Sequence, residues 1–118
     1  MNLEYTHKAD YYFFAQLFVR HLEKHIKQHP QDIEASFYTK HLHELFQQDQ
    51  ASVTINLDSI LNIADEYRVE TLQGDMRIIQ EHHIDAEKHI LHLTFNPEAV
   101  QALNTGHNII EPNASSPS

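Results

Sequence analysis

Histidine is the residue type best able to do chemistry in this chain: eleven are present in 118 residues, and there is no cysteine. His21, His25 and His29 recur at every fourth position, so on a helix the first two share a face. Zinc takes paired imidazoles at that spacing. The HExxH arrangement of a metalloprotease is absent, however, because Leu22 follows His21 and Glu23 stands in the wrong place, while His29 abuts Pro30. His41 and His43 are two apart, which on a helix points them in different directions. His82, His83, His89 and His92, near Glu81, form the densest group. If a hairpin turns at residues 85–88, Glu81 faces His92 and His83 faces Ile90. Glu81, His83 and His92 could then share a face and hold a divalent ion through nitrogen and oxygen. The plainer reading is cross-strand polar pairing on a solvated face, and the expectation is no native metal and no cofactor. Protonating all eleven imidazoles would move the formal charge from −9 to +2. With an ordinary histidine pKa near ~6.5, much of that change falls in mildly acidic solution. A pH sensor is the sharper reading of this and solvated surface residues the plainer one.

Covalent and phosphate chemistry find no motif. There is no cysteine nucleophile and no G-x-S-x-G elbow. Gly74 and Gly106 are the only glycines, so a glycine-rich phosphate cradle has no residues to form from. Carboxylates are plentiful, but on an acidic surface they mostly face solvent. The expectation is a protein that is not an enzyme.

The elements that would position these residues read as follows. One domain is expected over residues 1–106, helical over 1–49, with a disordered tail over 107–118 that includes the polar run EPNASSPS. Ala9 to Gln28 is an uninterrupted helix with Asp10 in its first turn and Pro30 beyond its end. Its apolar positions Tyr11, Phe14, Phe18, Leu22 and Ile26 recur at helical spacing. Phe13, Leu17 and Val19 widen the apolar surface beyond one stripe. Tyr11, Phe14, Phe18 and Leu22 are therefore a candidate dimer surface, unless other helices of the same chain cover them. Asp32 to Gln48 reads as a second helix with Ile33, Phe37, Leu42, Leu45 and Phe46 on its apolar face. Ser52 to Leu57 alternates as a short strand, and Asp58 caps a helix through Tyr67.

Residues 69–83 admit two readings. A helix would align Leu72, Met76, Ile79 and His83 on one face. A hairpin would place Gly74-Asp75 in its turn. The helix is preferred, although Gly74 inside it costs up to ~1 kcal/mol relative to alanine. His89 to Phe95 is rich in strand formers, and Asp85-Ala86-Glu87-Lys88 makes a turn before it. Asn96 and Pro97 then open a short helix to about Asn104, stopped by Thr105-Gly106.

Thr71-Leu72-Gln73-Gly74-Asp75-Met76-Arg77-Ile78-Ile79 resembles the recognition helix of DeoR-type winged helix-turn-helix regulators, which read roughly Thr-Val-Arg-Arg-Asp-Leu-x-x-Leu. Thr71, Leu72, Asp75, Met76 and Ile79 fall on matching positions, while Gln73 and Gly74 replace the paired arginines. The run IDAEKHILHLTFNPEAVQAL also resembles the wing and closing helix of plasmid replication initiator domains. The resemblance implies an α+β fold: two N-terminal helices, then a winged-helix-like half over residues 50–106 with a small antiparallel β-sheet. The alternative is helices packed on a three- to four-stranded antiparallel sheet.

Charge decides between the functions such a fold offers. Over residues 50–104 three basic residues (Arg68, Arg77, Lys88) stand against nine acidic ones, within a chain of net charge −9. Lysine and arginine contacts to phosphate supply most of the affinity of DNA-binding domains, so DNA is disfavoured. A regulatory or adaptor protein that docks on a basic protein partner fits better. Glu70, Thr71, Gln73, Asp75 and Arg77 are its expected contact residues. The runner-up is a DNA-binding regulator in which Thr71, Gln73 and Arg77 read base edges, and the third reading is metal binding through histidine. No stretch reads as a signal peptide or as long and apolar enough for a bilayer span, so a soluble, cytoplasmic protein is expected, with no membrane partner.

Overall fold

The computed structural model describes residues 11–46 and 57–112. Residues 52–56 of the strand expected at 52–57 and the last residues of the expected tail lie outside them, and Leu57 itself is helical. Among the described residues the chain is α+β, with four helices and two three-stranded antiparallel sheets.

Helix α1 (Tyr11–Gln28) follows its sequence pattern. Phe14, Ala15, Phe18, Val19, Leu22 and Ile26 are buried, each three or four positions from another. The cover comes from this same chain: α1 packs against α3 (Leu57–Ala64) and α4 (Pro97–Asn104). This corrects the candidate dimer surface. Phe14, Phe18 and Leu22 lie in the core, and Tyr11 is half-buried against it. Helices of the same chain cover the stripe of Phe14, Phe18 and Leu22, while Phe13, which widens the face, remains half exposed.

The second expected helix is mostly replaced. Residues 34–38 form strand β1 (Glu34–Tyr38), and only the seven-residue helix α2 (Thr39–Leu45) follows. Ala35 is buried and Phe37 half-buried between exposed Glu34, Ser36 and Tyr38, which is a period of two. The helical spacing of Ile33 and Phe37 was misleading, because Ile33 is largely exposed. Pairing with β5 (Ile90–Phe95) prevails: Ala35 faces Leu93 and Phe37 faces Leu91. β5 is the centre of the first sheet, flanked by β1 and β4 (Ile79–Asp85).

Residues 69–83 also depart from the preferred reading. They are not a helix but strands β2 (Arg68–Thr71), β3 (Gly74–Arg77) and most of β4. Leu72, Met76 and Ile79 therefore share no face: Leu72 is fully exposed, Met76 half-buried and Ile79 buried. Gly74 takes φ 111°, a backbone state that glycine adopts without penalty. A chain turning there gains ladder bonds on both sides, which outweighs a helix carrying a glycine at its centre. The turn itself sits on Leu72 and Gln73, with Thr71 facing Gly74, rather than on Gly74-Asp75.

The helix expected from Asp58 ends at Ala64, and Asp58 stands inside its first turn. The turn of the β4–β5 hairpin lies on residues 86–89, one later than expected, so its register differs from expectation: His83 faces His92, and Glu81 faces Thr94, with a further irregularity between Ile79 and Glu81. Helix α4 opens as anticipated, with the Asn96 side chain accepting from the Glu98 backbone N–H at 3.0 Å and Pro97 at its start. Order continues past residue 106, where a tail was expected. β6 (Ile109–Ile110) pairs with β2, giving the second sheet its order β3-β2-β6. One core joins the helices to both sheets, with Phe18, Leu22, Ile60, Val69, Leu91, Phe95 and Leu103 essentially inaccessible.

Candidate docking hairpin and its surroundings

The β2–β3 hairpin carries every residue that the sequence singled out for recognition. Side chains alternate across it. Arg68, Glu70, Asp75 and Arg77 are exposed on one face, while Val69 and Met76 turn toward the core. The exposed face has an unusual pairing. Arg68 stands opposite Arg77, and Glu70 stands opposite Asp75. Like charges directly opposite are unfavourable, so the face is graded: cationic at the base, anionic next to the tip.

The tip is held by a set of short bonds. The Thr71 hydroxyl donates to the Gly74 carbonyl at 2.6 Å and accepts from the Gln73 N–H at 3.0 Å. With its nitrogen toward Glu98, the Gln73 amide donates to both carboxylate oxygens, at 2.7 and 2.5 Å, tying the tip to α4. His107 Nδ1–H donates to the Glu70 carbonyl at 2.7 Å, so its Nδ1 carries the proton. Glycine at position 74 is needed for φ, not for space, since a Cβ there would meet nothing within 4 Å. Against this order stands Leu72, whose side chain is 99% exposed. Beside it opens a shallow cleft of about 220 Å³ between the tip and α4, reaching Gln101, Thr105 and His107.

The histidine groupings separate in space. His21 and His25 pack on Phe37 with ring centres 5.4 and 5.5 Å away, and His25 lies 4.5 Å from His29. Burial holds both His21 and His25 below the ordinary imidazole pKa. Positive Lys24 adds to this for His21, and neighbouring imidazoles add to it for His25, partly opposed by Asp32. The Nε2 of His25 is buried with no hydrogen-bond partner among the described residues, although the ring as a whole is only partly covered. His83 and His92 stack with centres 6.2 Å apart, and His92 Nδ1 shares a 2.9 Å hydrogen bond with the Ser36 hydroxyl. Glu81 lies opposite Thr94 and His83 opposite His92, so the candidate triad of Glu81, His83 and His92 does share one face of the hairpin, with Glu81 diagonal to His92 instead of facing it. Among the described residues no three histidine or acidic side chains are placed to hold a metal ion.

Sequence reasoning missed two features. His82 Nδ1 lies 3.1 Å from a carboxylate oxygen of Asp65, joining β4 to the turn after α3. Asp65 is nevertheless held above its ordinary pKa, because burial outweighs the attraction of His82 and Arg77. The second is an open cleft of about 460 Å³ where α2 meets the β4–β5 turn, lined by Tyr38, Lys40, His41, His43, Lys88 and His89. Its residues are 45 or more positions apart in two runs, so only the β1–β5 pairing reveals it.

No protein-family model, curated protein or solved structure matches the chain. Among the described residues no helix is long and apolar enough to cross a membrane.

Proposed function

We propose that the chain is a small non-enzymatic adaptor or regulatory protein that binds another protein through the β2–β3 hairpin. The observation that carries this is Leu72. Its turn is fixed by the Thr71, Gln73–Glu98 and His107–Glu70 hydrogen bonds, yet the residue presented is a leucine in water. An isolated exposed leucine is ordinary. One held on a preorganised tip loses little further entropy on docking, which is how an anchor residue acts. Glu70 and Asp75 flank it, so the fitting partner offers an apolar socket with cationic groups at its rim. The absence of cysteine from the sequence fits work in the reducing cytoplasm.

The test places a photo-crosslinking residue at position 72 and compares adducts formed in cell extract. The expected result is one predominant protein adduct. It should be lost when Glu70 and Asp75 are both changed to lysine, and weakened by added salt. A complex with duplex DNA at physiological ionic strength, removed by Arg77→Ala, would overturn the reading in favour of a DNA-binding regulator.

A further inference from the structure

The tip and the second cleft have opposite characters. At the tip, Leu72 is apolar and its neighbours Glu70, Asp75 and Glu98 are acidic. At the cleft, two lysines and three histidines surround an exposed tyrosine, and no acidic side chain is among the lining residues. The Tyr38 ring, edge-on to His41 at 5.6 Å, and the methylene stems of Lys40 and Lys88 supply an apolar wall. The nearby Asp85 carboxylate is already engaged by the Glu87 and Lys88 backbone N–H groups, both at 3.1 Å. Exposed Glu44 and Glu87 stand nearby in the chain but do not line the cleft. The cleft falls within the ~300–1,000 Å³ typical of binding clefts. Leu72 does not reach the cleft of its own molecule, since its side chain is 99% exposed.

We infer that a second copy of this chain is a partner of the docking hairpin: Leu72 of one copy seats against Tyr38 of the next, with Glu70 and Asp75 meeting Lys40 and Lys88. The inference rests on the docking reading of the hairpin. The contact is head-to-tail, because it joins two different surfaces, so each dimer keeps one free tip and one free cleft and can grow. Net charge of −9 on each copy opposes association. At physiological salt the Debye length is ~8 Å, which screens that general repulsion while leaving contacts at salt-bridge distance largely intact.

Sedimentation velocity of the full chain over a wide concentration range tests this. The wild type should show a mean mass that rises with concentration. Leu72→Asp and the pair Lys40→Glu/Lys88→Glu should each weaken association at least tenfold. All of these sites are exposed, and circular dichroism and melting temperature check that the variants remain folded. The decisive measurement mixes the two defective chains. One keeps an intact cleft and the other an intact tip, so the mixture should form a 1:1 dimer that grows no further. A wild type that stays monomeric overturns the inference, as does association that both variants leave unchanged or a mixture with no dimer. A cleft that binds inorganic phosphate or an acidic peptide on a monomeric chain also overturns it. If position 72 still crosslinks to a different protein while the chain is monomeric, the docking hairpin stands and self-docking alone falls.

Discussion

Three residues carry tests of their own. The lowered pKa of His25 means that its protonation is penalised in the folded state. Its contribution is intact above the ordinary value of 6.5 and is lost as pH falls below it toward the folded value. His25→Phe removes both the titration and the orphaned Nε2. Its melting temperature should exceed that of the wild type by more in mildly acidic solution than in alkaline solution, and an equal difference at both would refute the assignment. Asp65 has the opposite sign. Its raised pKa makes the protonated form the better-tolerated one when folded, so stability is lost as pH rises above 3.8 and through the folded value. Asp65→Asn should gain on the wild type in thermal melts across that rise. His89 holds φ 57°, in the left-handed region that non-glycine residues avoid. His89→Gly should stabilise the protein by up to about 1–2 kcal/mol in urea titration, while removing one imidazole from the basic cleft.

At the scale of elements, the β2–β3 hairpin separates folding from docking. Gly74 sets its backbone at φ 111°, so Gly74→Ala should cost about 1–2 kcal/mol and weaken partner binding together with stability. Leu72→Asp should leave the melting temperature nearly unchanged, because a side chain this exposed contributes little to the fold. A large fall in melting temperature for Leu72→Asp would show that the tip is structural. The two hairpins also differ in what closes them: one uses glycine at its left-handed position, the other histidine. The Asp85 carboxylate, accepting from two backbone N–H groups, compensates in the second case and is held below the ordinary carboxylate range mainly by those bonds.

For the molecule as a whole, stability rests on a single core in which α1 is the shared element, touching α3, α4 and α2. Phe18 is inaccessible within it. Phe18→Ala should therefore cost about 3–5 kcal/mol, a large share of the roughly 5–15 kcal/mol typical of a domain. It should appear as one cooperative transition shifted to lower urea concentration. Two transitions would mean that the sheets unfold separately.

Local chemistry determined a good part of this structure. The apolar spacing of Tyr11 to Ile26, the strand run before Phe95 and the Asn96-Pro97 helix start were all legible, and the turn before that strand falls within one residue of its expected place, at 86–89 against 85–88. In each, one periodicity or one capping group had no competitor nearby in the chain. Helices and a strand among them agree with the α+β class that the resemblance implied. Tertiary structure decided the segments whose pattern satisfied two periods at once. Ile33 and Phe37 are four apart, but Ala35 and Phe37 are two apart, and only the availability of β5 as a pairing partner selects the strand. Leu72, Met76 and Ile79 suit a helix on paper, and strand pairing puts them instead in a turn, in β3 and in β4. The docking tip and the basic cleft are likewise products of strand pairing, because pairing brings together residues that the chain keeps tens of positions apart, and no local pattern encodes that meeting.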